Sequence, residues 1–232
     1  MIATDAPHRH RAAGESKPVP VVMVPAGRLL TAALGGYGAR MLVLIAAPAG
    51  ILAWSLSEYL LHRFAGHGPL RRKTPLWFLT PKALVILFHE EHTEHHRNPM
   101  YFAPTWKKAL ATTALVPVLG GLASLVVGLA AGAAFGVGYA LTYLAYELLH
   151  RRIHTHPPTN GYFAWMRRHH LHHHVAPKMN HGVTSPLWDL AFATRESPEP
   201  VKLHAKLAPA WLVDEAGGVR SEFSGEYQLV GR

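Results

Sequence analysis

Residues 109–146 read ALATTALVPVLGGLASLVVGLAAGAAFGVGYALTYLAY, thirty-eight positions without one charged side chain. A helix rises about 1.5 Å per residue, so about 20 apolar residues cross a hydrocarbon core, and this stretch holds about two crossings. Its glycine-rich middle, with Gly128, Gly132, Gly136 and Gly138, predicts a helical hairpin whose turn lies within residues 128–136. A buried helix pair in a soluble bundle would keep a polar face, and this stretch has almost none. Gly120, Gly121 and Gly128 suit helices whose backbones approach closely.

Upstream, Met41–Ser57 is also free of charge, and the apolar run reaches Leu61 with Glu58 as its only interruption, which predicts a further crossing. The segment Leu76–Phe88 is shorter and broken by Pro81 and Lys82, so it reads as a helix lying in the interface. Residues 20–40 are weakly apolar and leave open a re-entrant element before the first span. The expected architecture is an all-α integral membrane bundle of about 3–4 spanning helices with a histidine-rich cap. It divides into a disordered N-terminal tail (1–20), a membrane domain (21–194) and a soluble C-terminal tail (195–232). The polar start lacks an apolar core of a signal peptide, so no standard cleaved leader is expected.

Composition agrees. Of 232 residues, 49% are hydrophobic and only 16% charged, which suits one membrane domain. The chain has no cysteine, which excludes thiolate zinc sites, iron–sulfur clusters, a thiolate-bound haem and disulfides. The net charge of +9 could suit nucleic acid. However, Lys and Arg flank the apolar spans instead of forming a stripe with stacking aromatics, so anionic lipid headgroups are the expected partner and nucleic acid is not.

Eighteen residues are histidine, and most fall into four clusters at the ends of the apolar stretches. These are His62 and His67; His89, His92, His95 and His96; His150, His154 and His156; and His169, His170, His172, His173 and His174. Imidazole suits iron, zinc, copper and nickel, and four clusters hold more ligands than one ion can use, so at least two metals are expected. His92, His95 and His96 stand at i, i+3 and i+4, on one face of a helix. His170, His173 and His174 repeat that spacing, although His169, His172 and His173 make the same pattern, and His150 and His154 are i, i+4. His62 and His67 share a site most easily if the helix ends between them, which Gly66 favours. Glu58 and Glu147 stand one turn before a histidine, where either could fix a ligand's tautomer. His156, His181 and His204 are expected around the ligands or on the surface, and His8 and His10 in the tail.

Shared metals require the clusters to lie on one side of the membrane. The hairpin between His96 and His150 crosses twice and satisfies this. The loops carrying histidine are rich in Arg and Lys, which makes that face cytoplasmic by the positive-inside rule. A metal transporter would place ionisable groups within its spans, and residues 41–57 and 109–146 have none. A b-type cytochrome would place its histidine pairs inside the spans, and here they sit at the ends.

The order H-x4-H, H-x2-H-H, hairpin, H-x3-H, H-x2-H-H resembles the fatty acid hydroxylase superfamily, which includes sphingolipid fatty acid 2-hydroxylases and sterol desaturases. The likeness extends to EYLLHRFAGHG at residues 58–68, to Tyr146-Glu147-Leu148-Leu149-His150, and to HHLHHHVAPKMNHGVTSPLWDLAFAT at residues 169–194. Gly182, Thr184, Ser185, Trp188 and Asp189 fill the places of the family's ending, and this alignment favours His170, His173 and His174 as the ligand frame. The resemblance implies a membrane-bound di-iron oxygenase that hydroxylates a C–H bond of a fatty acyl or sphingolipid acyl chain with O2. A sterol or carotenoid hydroxylase or desaturase is the alternative. The implied ligands are His62, His67, His92, His95, His96, His150, His154, His170, His173 and His174, holding two iron ions, with zinc as an adventitious substitute. No residue beyond the ligands is expected to be catalytic. The stretch after the second cluster, HHRNPMYFAPTW, lacks the aspartate of the Pro-Met-Asp segment in the lipid hydroxylases, and no cytochrome b5 domain is fused. Electrons would therefore come from outside, from a ferredoxin or cytochrome b5-like carrier and its reductase. Arg71, Arg72, Lys73, Lys107, Lys108, Arg151 and Arg152 would form the basic rim for such a carrier, or contact lipid headgroups. Trp54, Tyr59, Tyr162, Trp165 and Trp188 would line the lipid's approach or form an interfacial belt.

Overall fold

The computed structural model describes residues 26–69 and 82–231. The tail at 1–20, the segment 76–81 and the basic run Arg71–Lys73 lie outside the described residues. Helix α1 runs Ala26–Leu60, with a kink at Gly35, and passes without a break into a π turn over Leu61–Gly66. Helix α2 (Ala83–Arg97) carries the second histidine cluster, so the apolar residues from Ala83 to Phe88 are its first turns and not a separate interfacial helix. Helices α3 (Thr105–Val127) and α4 (Leu129–Thr155) form the hairpin, and α5 (Gly161–Val175) carries the last cluster. A short α6 (Leu187–Ala191) precedes strands β1 (Val201–His204) and β2 (Tyr227–Val230), which pair in parallel.

Among the described residues, three helices are long and apolar enough to cross a membrane: Gly35–Gly66, Thr105–Val127 and Leu129–Thr155. The chain is thus a mostly α-helical membrane bundle with a histidine-rich end. The hairpin turn is tighter than residues 128–136 suggest: it is Gly128 alone. There φ is +85°, a conformation that glycine adopts without steric cost, and residues from Leu129 onward are already helical. The other glycines of that stretch serve packing instead. A Cβ on Gly138 would strike the backbone carbonyl of Ala47, so α1 and α4 touch main chain to main chain.

Helix ends follow local chemistry. Helices α2, α4 and α5 each stop two residues short of a proline (Pro99, Pro157 and Pro177), because a proline disfavours the helical conformation in the residue before it. Asn160 caps α5, accepting a hydrogen bond from the Phe163 N–H at 3.0 Å. Residues 195–231 fold back on the bundle. Val201, Leu203, Trp211, Leu212 and Tyr227 form one core with Ile153 of α4 and with Met166 and Leu171 of α5. Trp211 Nε1 donates to the Ile153 carbonyl at 3.0 Å. Arg167, almost wholly buried, donates to the carbonyls of Arg152, His156 and Phe163, which ties the end of α4 to α5.

The helix contacts set up a paired experiment. Gly138→Val should force α1 and α4 apart and cost about 1–3 kcal/mol, as overpacking generally does. Gly121→Val meets nothing within 4 Å and should be near neutral. Apparent melting temperatures of the two variants in detergent or nanodiscs check this, and equal melting would refute the close contact.

Candidate metal centre

Ten histidines gather into two groups of five. The first is His62, His67, His92, His96 and His173; the second is His95, His150, His154, His170 and His174; within each, the ligand nitrogens lie within 4.8 Å of one another. These are the ten positions expected from the sequence, and the two H-x-x-H-H runs are not each dedicated to one site. Successive residues of a helix project about 100° apart, so His95 and His96 leave α2 on opposite flanks of one face. His92 and His96 enter the first group and His95 the second; on α5, His170 and His174 enter the second and His173 the first. The groups touch where the rings of His96 and His174 stack, 4.3 Å between centroids.

The π turn completes the first group. Its hydrogen bonds join residues five apart, so it brings His67 back above His62, where an α-helix would carry it round to the far side. The helix does end before His67, but through this widening. Gly66 has a second reason to lack a side chain: a Cβ there would sit 2.7 Å from the His92 ring.

The inward atoms are all Nε2. His67 Nε2 lies 2.9 Å from those of His92 and His173, and His173 Nε2 lies 3.1 Å from that of His96. In the second group, His170 Nε2 lies 3.0 Å from that of His150 and 3.1 Å from those of His154 and His174. His62 Nε2 and His95 Nε2 are buried with no hydrogen-bond partner among the described residues. His62, His95 and His173 donate their Nδ1–H to the carbonyls of His181 (2.5 Å), Tyr101 (2.9 Å) and Met179 (2.7 Å). A neutral imidazole has one N–H, so the inward nitrogen of each of these three is a bare lone pair. Several lone pairs aimed at one buried point repel unless a cation lies between them. Metal–imidazole bonds of about 2.0–2.1 Å, set about 90° apart, would place nitrogens about 3 Å from each other. The donor set therefore fits a borderline metal ion in each group.

Burial keeps the ligands in the form that binds metal. It pushes His67 and His95 down to about 4 and His96 to about 3, and holds His92, His170, His173 and His174 well below the usual histidine range. These imidazoles are neutral at pH 7. Their stabilising contribution is lost as pH falls below about 6.5, where the unfolded chain takes up protons first.

Around the ligands the structure departs from the sequence reading. Neither Glu58 nor Glu147 braces a histidine. Glu58 accepts from the Val183 N–H at 2.6 Å, and Glu147 pairs with Lys108. The carbonyls of His181, Tyr101 and Met179 fix the tautomers instead; they lie in the loops that follow α5 and α2, and a backbone acceptor has no residue-type signature. The loop 180–184 is itself held by Asp189, which accepts from the N–H groups of His181 and Gly182 and from Thr194 Oγ1, all at 2.8 Å. His169 Nε2 also turns to Asp189 at 3.2 Å, and His172 Nε2 to Glu196 at 2.9 Å, so both face away from the two groups. His89 donates to the Ala65 carbonyl at 3.0 Å, His181 is buried beside Asp189, and His156 meets Thr155. Of the expected basic rim, Lys107 pairs with Glu91 and Lys108 with Glu147, while Arg151 and Arg152 are exposed. The five aromatics fall into three neighbourhoods: Tyr59 and Trp188 both stack on Phe192. Trp54 packs among Tyr139, Tyr143 and Tyr146; Trp165 lies against His169, and Tyr162 bonds the Thr184 carbonyl.

The family model for fatty acid hydroxylases matches residues 47–194. A dihydroceramide fatty acyl 2-hydroxylase (FAH2) of Arabidopsis thaliana is 32% identical over 151 residues, covering 62% of this chain and 58% of that protein. Fatty acid 2-hydroxylase of Homo sapiens is 28% identical over 153 residues, 65% of this chain and 39% of its own. The chain thus spans only about two fifths to three fifths of these relatives. A solved structure of full-length scs7p, in which only the hydroxylase domain is visible, superposes with a TM-score of 0.52 at 26% identity; the match covers 67% of this chain and 57% of that one.

Metal content should separate inward from outward histidines. His170→Ala removes the nitrogen nearest the others of the second group and should lower bound metal by about one equivalent. His172→Ala should leave it unchanged. Elemental analysis of the purified variants decides; metal loss from His172→Ala with retention in His170→Ala would reverse the frame on α5.

Proposed function

The chain belongs to the fatty acid hydroxylase family, and from that premise we propose that it is a membrane-bound di-iron oxygenase that hydroxylates a lipid acyl chain. The observation that supports it most is the pair of adjacent five-histidine groups at one end of the membrane helices. The substrate class follows from the relatives, which act on fatty acyl and dihydroceramide acyl chains at carbon 2. The reaction adds one oxygen atom of O2 to a C–H bond and reduces the other to water, consuming two electrons and two protons. Bound iron would supply the reduction of O2 and the cleavage of the C–H bond.

The protein's part is positional. His62, His67, His92, His96 and His173 would hold one ion, and His95, His150, His154, His170 and His174 the other. Carbonyl acceptors on Nδ1 make His62, His95 and His173 more basic ligands and fix their rings. The domain from residue 21 to 194 would carry the chemistry and the folded segment after it would cover α4 and α5. The histidine-bearing face would be cytoplasmic, where a ferredoxin or cytochrome b5-like carrier and its reductase can reach it.

Purified protein in nanodiscs with fatty acid or ceramide and 18O2 should form 2-hydroxy product carrying one labelled oxygen, and only when a reductase and carrier are added. His170→Ala and His173→Ala should lower turnover by at least about two orders of magnitude. Product oxygen derived from water, or turnover without a reductant, would overturn the reading.

A further inference from the structure

Helix α6 turns an apolar face outward, and its place in the fold identifies what covers it. From Met179 to Thr194 the only Asp, Glu, Lys or Arg is Asp189, whose carboxylate is fully buried. On the other side of the same turn, Leu187, Leu190 and Phe192 are 46%, 56% and 47% exposed. The segment is not at the tip of the cap. Trp188 Nε1 donates to Ser55 Oγ at 3.1 Å, and the Phe192 ring stacks on Tyr59 at 5.3 Å. Ser55 and Tyr59 belong to the first membrane helix, and Leu60 and Phe64 beside them are exposed as well.

The depth can be bounded. The first cation at that end of α1 is Arg63, four residues beyond Tyr59 and eight beyond Ser55, or about 6 Å and 12 Å along the axis at 1.5 Å per residue. Its guanidinium reaches back to Tyr59 Oη at 2.7 Å, which sets the polar edge of the bilayer near Tyr59. Amphipathic segments that lie in a membrane surface sink about 5–10 Å into the headgroup–acyl boundary, which is the level at which α6 meets α1. The geometry points to α6 and Phe192 as an interfacial anchor: residues 187–192 rest at the headgroup–acyl boundary against α1, with phospholipid acyl chains over Leu187, Leu190 and Phe192. Lipid is favoured over a second copy of the chain because this face continues the outward apolar surface of a membrane helix and carries no charge to pair with a protein partner. The other side of the anchor is Asp189, so the bilayer backs the loop whose His181 carbonyl holds His62. This holds whatever reaction the metals carry out.

The chain has no cysteine, which makes the test direct. Leu190→Cys, with Leu187→Cys as a second site, is labelled with an environment-sensitive dye in the full-length protein and reconstituted in phosphatidylcholine–phosphatidylglycerol vesicles. Glu215→Cys, exposed on the folded cap, is the control. Dye at 187 and 190 should be blue-shifted and quenched several-fold more by lipids bearing nitroxide high on the acyl chain than by aqueous iodide, with the order reversed at 215. Iodide quenching at 190 equal to that at 215 would overturn the proposal. So would protection at 190 that appears only at high protein-to-lipid ratio, since a second copy would then be the cover.

Discussion

The fold is organised by lone pairs that cannot be left facing one another in a dry interior. Ten imidazoles present Nε2 inward in two groups, and in at least three of them the single N–H is committed on the outer side of the ring. Water would relieve such a site only if it were open, and His154, His170 and His173 are almost fully buried. A metal cation at the centre of each group would make the arrangement a minimum. Given that, the helices bearing histidine are fixed to one end of the membrane helices.

Around this lies a second set of constraints, made from backbone. The carbonyls of Tyr101, Met179 and His181 orient the ligands, yet a loop carbonyl holds its place only if its own neighbours are satisfied. Asp189 and Glu58 do that from opposite sides of loop 180–184, one from α6 and one from α1. Two buried carboxylates thus act on the histidine groups without touching them. In a membrane, where apolar burial drives helices together weakly, such polar ties carry a larger share of specificity.

The membrane bundle was legible in the sequence because charge-free stretches of 17 and 38 residues have few alternative folds. The ten clustered histidines were legible because spacing on a helix fixes direction. Their sorting into two groups was not, since it depends on the tilt and rotation of α2 and α5 against each other, which local spacing does not encode. The same is true of the π turn: nothing in LHRFAG distinguishes it from α-helix, and it exists because His62 and His67 meet the same set of partners. Glu58 and Glu147 were misread for a similar reason. Their spacing from a histidine is that of a neighbour on the helix, but each faces another element, Glu58 the loop at Val183 and Glu147 the lysine of α3.

The sharing of α2 and α5 between both groups has a mechanical meaning. Each helix is a hinge pin with a clasp on either flank. A small roll of α2 about its axis that shortens the reach of His95 must lengthen that of His92 and His96, so the two centres cannot relax independently. One residue gained or lost inside either H-x-x-H-H run would turn the histidines after it by about 100° and spoil both groups at once. An ion filling one group would therefore set the roll angle that the other requires.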